Sequence, residues 1–230
     1  MKIDLYGDGI GSVELVDHMG TDLSVVNAAR VSFGNEKATL EEKDEKLIRY
    51  LMNHRHTSPF EHCTATFKFV VPLFVRSQHH RHRTWSYNEI SRRYTDVNIQ
   101  FYEPKEFRTQ HKSNRQASNA EELINPLVSA DVGVDHASRM ITKHHQQSLE
   151  LFNKLIEAGV CREQARGVLP QNLYTEYFGT IDLHNLLLFI MLRTHEGAQW
   201  EIQKVAEALQ TIAKELWPVS VEAFENRAWK

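Results

Sequence analysis

Cysteine is scarce in this chain: only Cys63 and Cys161 occur, far apart in sequence. Two thiols cannot build a disulfide framework or the thiolate set of a structural zinc site, and they suit a reducing, cytoplasmic setting. No apolar run approaches the roughly 20 residues that a membrane-spanning helix requires. The opening Met1-Lys2-Ile3-Asp4 does not read as a signal peptide. No internal repeat, low-complexity tract or linker is visible. A strong excess of one charge is also missing, since 27 Lys and Arg oppose 30 Asp and Glu for a net charge of -3. A general nucleic-acid binder is more often basic overall. What is present is a globular balance of 41% hydrophobic and 25% charged residues over 230 positions, enough for one large domain with a sizeable core.

Against this background, positive charge concentrates in Gln78-His79-His80-Arg81-His82-Arg83-Thr84-Trp85-Ser86-Tyr87-Asn88-Glu89-Ile90-Ser91-Arg92-Arg93. Arg76, Arg81, Arg83, Arg92 and Arg93 stand in or beside it with Glu89 as the only acid among them. Such a density is costly to assemble unless an anion neutralises it, so a phosphate-bearing partner is the first inference. Asn88, Glu89 and Ser91 add groups that orient a polar ring. Trp85, Tyr87 and Ile90 interleave with the charges and imply a partly buried segment rather than a solvated face.

Taken in order, alternation predicts a strand over 12–19, then a helix from about 21 capped by Thr21 or Asp22. Thr39-Leu40-Glu41-Glu42 reads as a capping box for a helix to about His54, and His56 to His62 reads as a turn at Ser58-Pro59. A strand is predicted over 63–71, followed by a helix with Pro72 at its first position that delivers Gln78 and Arg81. Residues 93–107 should run as strand and loop, and 112–135 as a surface excursion. An amphipathic helix over 138–158 ends at Gly159, and a short helix over 162–168 ends before Pro170. A strand over 173–181 leads to Asp182, which caps a helix over 183–193 that is apolar all round and therefore buried. A last long helix is predicted over 196–217, with a helical tail after Pro218. These elements describe one α+β domain over 1–230.

The chemistry is tested by elimination. His79, His80 and His82, or His54, His56 and His62, carry enough nitrogen for a metal, but the arginines would repel the cation and acids are few nearby, so no metal site is expected. His144-His145 reads as a solvent-facing pair. Cys63 sits in a predicted strand as packing, Ser91 is hard to ionise even among arginines, and no strong nucleophile stands out. Chemistry carried by a cofactor is the better reading. Arg193 either compensates the C-terminal dipole of its helix or joins Arg166 and the central cluster in holding anions. A rival reading uses Trp85 and Tyr87 as stacking platforms for single-stranded nucleic acid.

The order Arg81-His82-Arg83-x-x-Ser86-x-Asn88-Glu89-x-Ser91-x-Arg93, with Gln78 ahead of it, resembles the signature of the flavin-dependent thymidylate synthases. Val25-Val26-Asn27-Ala28-Ala29-Arg30, Ser58-Pro59-Phe60-Glu61-His62, Arg166-Gly167-Val168-Leu169-Pro170, Asp182-Leu183-His184-Asn185 and Ala198-Gln199-Trp200-Glu201 resemble further blocks of that family. The resemblance implies a central, mostly antiparallel sheet flanked by helices and a homotetramer with active sites shared between subunits. It implies reductive methylation of dUMP to dTMP, with methylenetetrahydrofolate as one-carbon donor and FAD reduced by NADPH as hydride carrier. Neither nucleic acid nor membrane is an expected partner.

Carried over by position, the dUMP site comprises Gln78, His79, His80, Arg81, Glu89, Ile90, Ser91, Arg92, Arg93, Arg166 and Arg193. The FAD site comprises Ser58, Arg81, His82, Arg83, Glu89, Asp182, Leu183, His184 and Leu188. Arg193, Ser91 and His56 form the expected catalytic set, with Arg193 favouring an enolate-like uracil whose C5 is activated electrostatically. Leu188 and Gly197 depart from the family pattern, where Asn or His is common at the first position and His at the second. The Pro-Cys-Gln tripeptide of synthases that use a cysteine nucleophile does not occur.

Overall fold

In this computed structural model, residues 1–115, 117–130 and 133–229 are described. The chain starts with β1 (Lys2–Asp4), β2 (Ser12–Met19), α1 (Asp22–Arg30) and α2 (Glu42–Asn53). A 3-10 turn at Ser58–His62 leads into β3 (Thr64–Pro72), α3 (Leu73–His79) and β4 (Ser86–Glu89). Next come β5 (Phe107–Gln110), β6 (Ser118–Ile124), β7 (Leu127–Ala130) and β8 (Gly133–His136). The remainder is α4 (Ala137–Glu157), α5 (Arg162–Ala165), β9 (Tyr174–Asp182), α6 (Leu183–Arg193), α7 (Trp200–Leu216) and α8 (Pro218–Glu225).

The main sheet has the order β1-β2-β3-β9-β4, and every neighbouring pair is antiparallel. Its alternation is written in the sequence: Ala65, Phe67, Phe69 and Val71 of β3 point inward, as do Tyr177, Gly179 and Ile181 of β9. These meet Leu186, Phe189 and Ile190 of α6 and Ile202, Val205 and Leu209 of α7 in one core. At about 25 cal/mol per Å² of apolar surface, each of the large side chains among these stabilises the fold by roughly 1.5–3 kcal/mol. The opposite face carries Thr66, Lys68, Glu176 and Thr180, with Phe178 left 44% exposed.

Local chemistry fixes most element ends. Asp182 caps α6 by accepting from the Asn185 N–H at 2.9 Å. Asp22, buried, accepts from the Val219 and Ser220 N–H groups and so closes the start of α8. Gly159, at φ +89, stops α4 in the left-handed region where a side chain would be strained.

Several expectations need correction. The box of α2 is Glu41 with Asp44, whose Oδ2 accepts from the Glu41 N–H at 3.1 Å, and not Thr39 with Glu42. Pro72 ends β3 in extended conformation and serves as the N-cap of α3 rather than its first residue. Residues between Arg93 and Phe107 hold only an isolated bridge, Phe101 to Leu173. The excursion folds as two hairpins, β5–β6 and β7–β8, with Gln116, Asp131 and Val132 lying outside the described residues. Helix α7 starts at Trp200, because His195 turns the chain by accepting the Gly197 N–H at 3.0 Å. Leu192 is 54% exposed, so α6 is not buried all round. His145 is buried rather than solvent-facing: it stacks on Phe101 at 4.7 Å and bonds Glu103 Oε1 at 2.8 Å.

Candidate functional site

The two central strands set the site. Residue Thr64 at the start of β3 faces Asp182 at the end of β9, and Pro72 faces Tyr174. Helix α3 therefore leaves the sheet at the end where β9 begins, whereas α6 starts at the opposite end and folds back. Its 11 residues, at about 1.5 Å each, carry Arg193 back to the residues that follow α3. There the Arg193 Nε–H donates to His82 Nε2 at 2.9 Å. Burial first and the Arg193 charge second push the His82 imidazole down to about 4, which agrees with a neutral ring accepting at Nε2. Arg81 is exposed beside them, and burial together with this second guanidinium lowers Arg193 from its ordinary range.

The later part of the signature turns away as β4. Glu89 Oε1 accepts from Arg76 Nε at 3.0 Å and from Thr175 Oγ1 at 2.6 Å. This anchor opens a cleft of about 540 Å³ lined by Glu89, Ile90, Ser91, Arg92, Arg93 and Arg166, with Gly167, Gln171, Tyr174 and Thr175. Arg166 reaches it from the end of α5, and Ser91 Oγ accepts from the Arg93 N–H at 3.3 Å. Gln78, Arg81 and Arg193 do not line this cleft. Within one chain the expected nucleotide residues thus form two groups, one around Arg166 and one around Arg193.

Ion pairing separates the arginines into two classes. Arg30, Arg49, Arg76, Arg108, Arg139 and Arg162 each meet a carboxylate. Among the described residues, Arg81, Arg83, Arg92, Arg93, Arg166 and Arg193 meet none within 4.0 Å, and outside the site neither do Arg55, Arg115 and Arg227. Arg92 instead donates to the carbonyls of Val97 and Asn98. Unpaired guanidinium groups held side by side raise one another's energy, and an anion between them reverses the sign of that interaction.

A second surface follows the outer side of α6. His184 and Leu188 are half-buried one turn apart, and Ser58 is exposed on the 3-10 turn that packs against this helix. With Arg81 and Arg83 exposed near its far end, this surface offers cations for a diphosphate and apolar area for a flat ring, the requirements of a flavin dinucleotide. His56 is exposed beside the rings of His54 and Tyr50.

Two expected ligands are enclosed. The His79 imidazole is 0% exposed, packed by Phe69, Trp85 and Phe189 at 4.6–4.8 Å and bonded to the Tyr177 hydroxyl at 2.7 Å. Burial holds it well below the usual histidine range. It anchors the signature and has no surface for a nucleotide. Leu183 is also fully buried, and its N–H is used by the Cys63 carbonyl at 2.8 Å, so neither group reaches a flavin. His80 is only half-buried but stacks on Tyr87 at 4.0 Å. Trp85 is 6% exposed and cannot serve as a stacking platform, which removes the rival reading's main support. Cys63 is buried with its thiol pushed up to about 12, as packing requires.

Sequence reasoning missed Gln171, Tyr174 and Thr175 of the cleft and the Gln199 side chain that bonds Gln78. The alternation of Trp85, Tyr87 and Glu89 with exposed Ser86, Asn88 and Ile90 was the available signal for β4.

The family profile described as thymidylate synthase complementing protein matches residues 14–219. The flavin-dependent thymidylate synthase of Thermus thermophilus is 47% identical over 216 residues, covering 94% of this chain and 76% of that protein. The enzyme of the same name from Thermotoga neapolitana is 43% identical over 230 residues, covering 100% of this chain and 97% of that protein. Among solved structures, the UMP/dUMP methylase PolB from Streptomyces cacaoi, bound with 5-Br dUMP, superposes with a TM-score of 0.81 at 36% identity. That match covers 98% of both chains.

Proposed function

This chain belongs to the flavin-dependent thymidylate synthase family, and on that footing we propose that it converts dUMP to dTMP by reductive methylation. Methylenetetrahydrofolate is the one-carbon donor, and NADPH is the reductant. Bound FAD supplies the hydride that turns the transferred methylene into a methyl group. The observation that carries the reading is the ion-pair census. The arginines expected at the nucleotide all lack a carboxylate partner, in a chain whose net charge is -3.

Gln78, Arg81, Arg166, Arg193 and the Ser91-Arg92-Arg93 segment hold dUMP, while Ser58, His82, Arg83, Asp182, His184 and Leu188 hold the flavin. The role of Arg193 is to place a permanent positive charge against the uracil edge, favouring the enolate-like ring and so activating C5 without an enzyme nucleophile. The active unit is a homotetramer with shared sites. Supporting this, the Arg166 cleft and the Arg193 group are separate in one chain, and Phe178, Leu192, Val31 and Phe33 leave large apolar side chains exposed. Its setting is the cytoplasm, where Cys63 and Cys161 stay as free thiols; among the described residues no helix is long and apolar enough to cross a membrane.

The experiment is tritium release from dUMP labelled at C5, with UMP labelled likewise in parallel. Release from dUMP that depends on FAD, NADPH and folate is the expected result. A colourless protein without release refutes the proposal.

A further inference from the structure

We infer that the β5–β6 hairpin has a positioning role in the nucleotide site: Arg108, acting through Glu201 and Gln199, fixes which way the Gln78 amide points. The inference rests on Gln78 being a dUMP ligand, as proposed above.

Glu201 is 4% exposed on α7. Its Oε1 accepts from Arg108 Nη2 at 2.7 Å and from the Tyr102 hydroxyl at 3.3 Å, and its Oε2 accepts from Gln199 Nε2 at 2.9 Å. Burial and the Glu201 charge push the Tyr102 phenol up, so it stays a donor. A carboxylate only accepts, so the NH2 end of Gln199 must face Glu201 and its carbonyl must face the other way. That carbonyl accepts from Gln78 Nε2. The Gln78 amide is thereby held with its NH2 inward, and its oxygen is the atom left to take a hydrogen bond from a ring N–H or a sugar hydroxyl of the nucleotide.

Arg108 is itself held in place. Its Nε donates to Ser118 Oγ on β6 at 2.9 Å, and its guanidinium lies over Trp200 at 5.2 Å. The hairpin thus delivers one cation to a buried carboxylate, and the polarity of each amide along the chain follows from that pairing. Without Arg108 the Glu201 carboxylate loses the donor that pins its Oε1, so it can turn and no longer fixes the Gln199 amide, and through it the Gln78 amide, in a single orientation.

The test is a double-mutant cycle on the FAD-loaded enzyme, with dUMP affinity read by calorimetry and folding by thermal melting. Arg108→Met and, as a gentler cut, Gln199→Met are each combined with Gln78→Ala. Each is expected to raise the dUMP dissociation constant about three- to tenfold alone, the range of one neutral hydrogen bond, and less than about twofold on the Gln78→Ala background. Arg108→Lys, which keeps the charge beside Glu201, is expected to restore most of the affinity. Equal losses on both backgrounds, or a lowered melting temperature with unchanged affinity, overturn the inference while leaving the proposed function standing. A Gln78→Ala enzyme that binds dUMP as well as the parent overturns the inference together with the assignment of Gln78.

Discussion

Replacing Arg193 with alanine separates the chemistry assigned to this residue from the binding of the flavin. The side chain makes one hydrogen bond, to His82 Nε2 at 2.9 Å, and stands beside the like charge of Arg81. Losing that bond costs roughly 1 kcal/mol, and relief of the repulsion with Arg81 offsets part of it. The free enzyme should therefore melt within about 4 °C of the parent, since 1 kcal/mol shifts a chain of this size by roughly 2–4 °C. Flavin affinity should fall by no more than about fivefold, because of the residues proposed at the flavin only His82 bonds Arg193, while Ser58, Asp182 and His184 stand at the other end of α6. Turnover is a different matter. A half-buried cation aimed at charge that develops in the transition state contributes about 3–4 kcal/mol, so kcat should drop roughly 100- to 1,000-fold. The assay is dTMP formation by purified Arg193→Ala enzyme at saturating dUMP, with flavin absorbance measured on the same sample. A variant that keeps its flavin and turns over within tenfold of the parent would refute the reasoning.

Gly179→Ala places a Cβ 3.0 Å from Phe69 Cε2 and 3.1 Å from Trp85 Cε3, both ring atoms with little room to move. Overpacking of this kind costs about 1–3 kcal/mol, so melting should fall by several degrees; an unchanged melting temperature would show that the rings yield. Asp182→Ala removes the acceptor for the Asn185 N–H, and the loss of about 1 kcal/mol should appear as a small drop in melting temperature along with weaker flavin binding in a fluorescence titration. His79 and His82 are both depressed below 6.5 in the folded chain, His82 to about 4. The unfolded chain takes up protons first, so their contribution is present above about pH 6.5 and is lost as pH falls toward 4. Melting measured across that window should decline, and a flat profile would contradict the neutral state of both rings.

What could be read in the sequence was whatever local chemistry decides alone. The bounds of α6 follow their forecast because an acid cap precedes a largely apolar stretch that ends in arginine. Strand β2 is equally legible, its bounds those of the alternating stretch. The cap of α2 was misread because two candidate capping pairs, Thr39 with Glu42 and Glu41 with Asp44, compete there. Asp44 wins through Arg30 and Lys37, which reach it from elsewhere in the fold. His145 misled for a similar reason, since nothing on its helix announces that Phe101 and Glu103 will cover it. The hairpins over 107–136 contain too few large apolar residues to show a strand period, although their pairing is local.

The candidate site was legible as a set of residue types but not as a shape. A motif gives the order of Arg81, Glu89 and Ser91; it does not say that β4 carries the later residues to a different cleft from Arg81. Nor does it reveal that His79 faces inward, because a histidine among arginines looks cationic until its neighbours are known.

The sharing of one site between subunits is tested most directly by mixing two disabled chains. Arg166→Ala and Arg193→Ala, each inactive alone, are co-expressed with different tags, and the mixed tetramers are purified through both. If each site takes its Arg166 cleft from one subunit and its Arg193 group from another, random assembly restores about one quarter of the sites, and dTMP formation should return to about that fraction of the parent rate. Mixed tetramers as inactive as the two starting variants would mean that both groups act within a single chain.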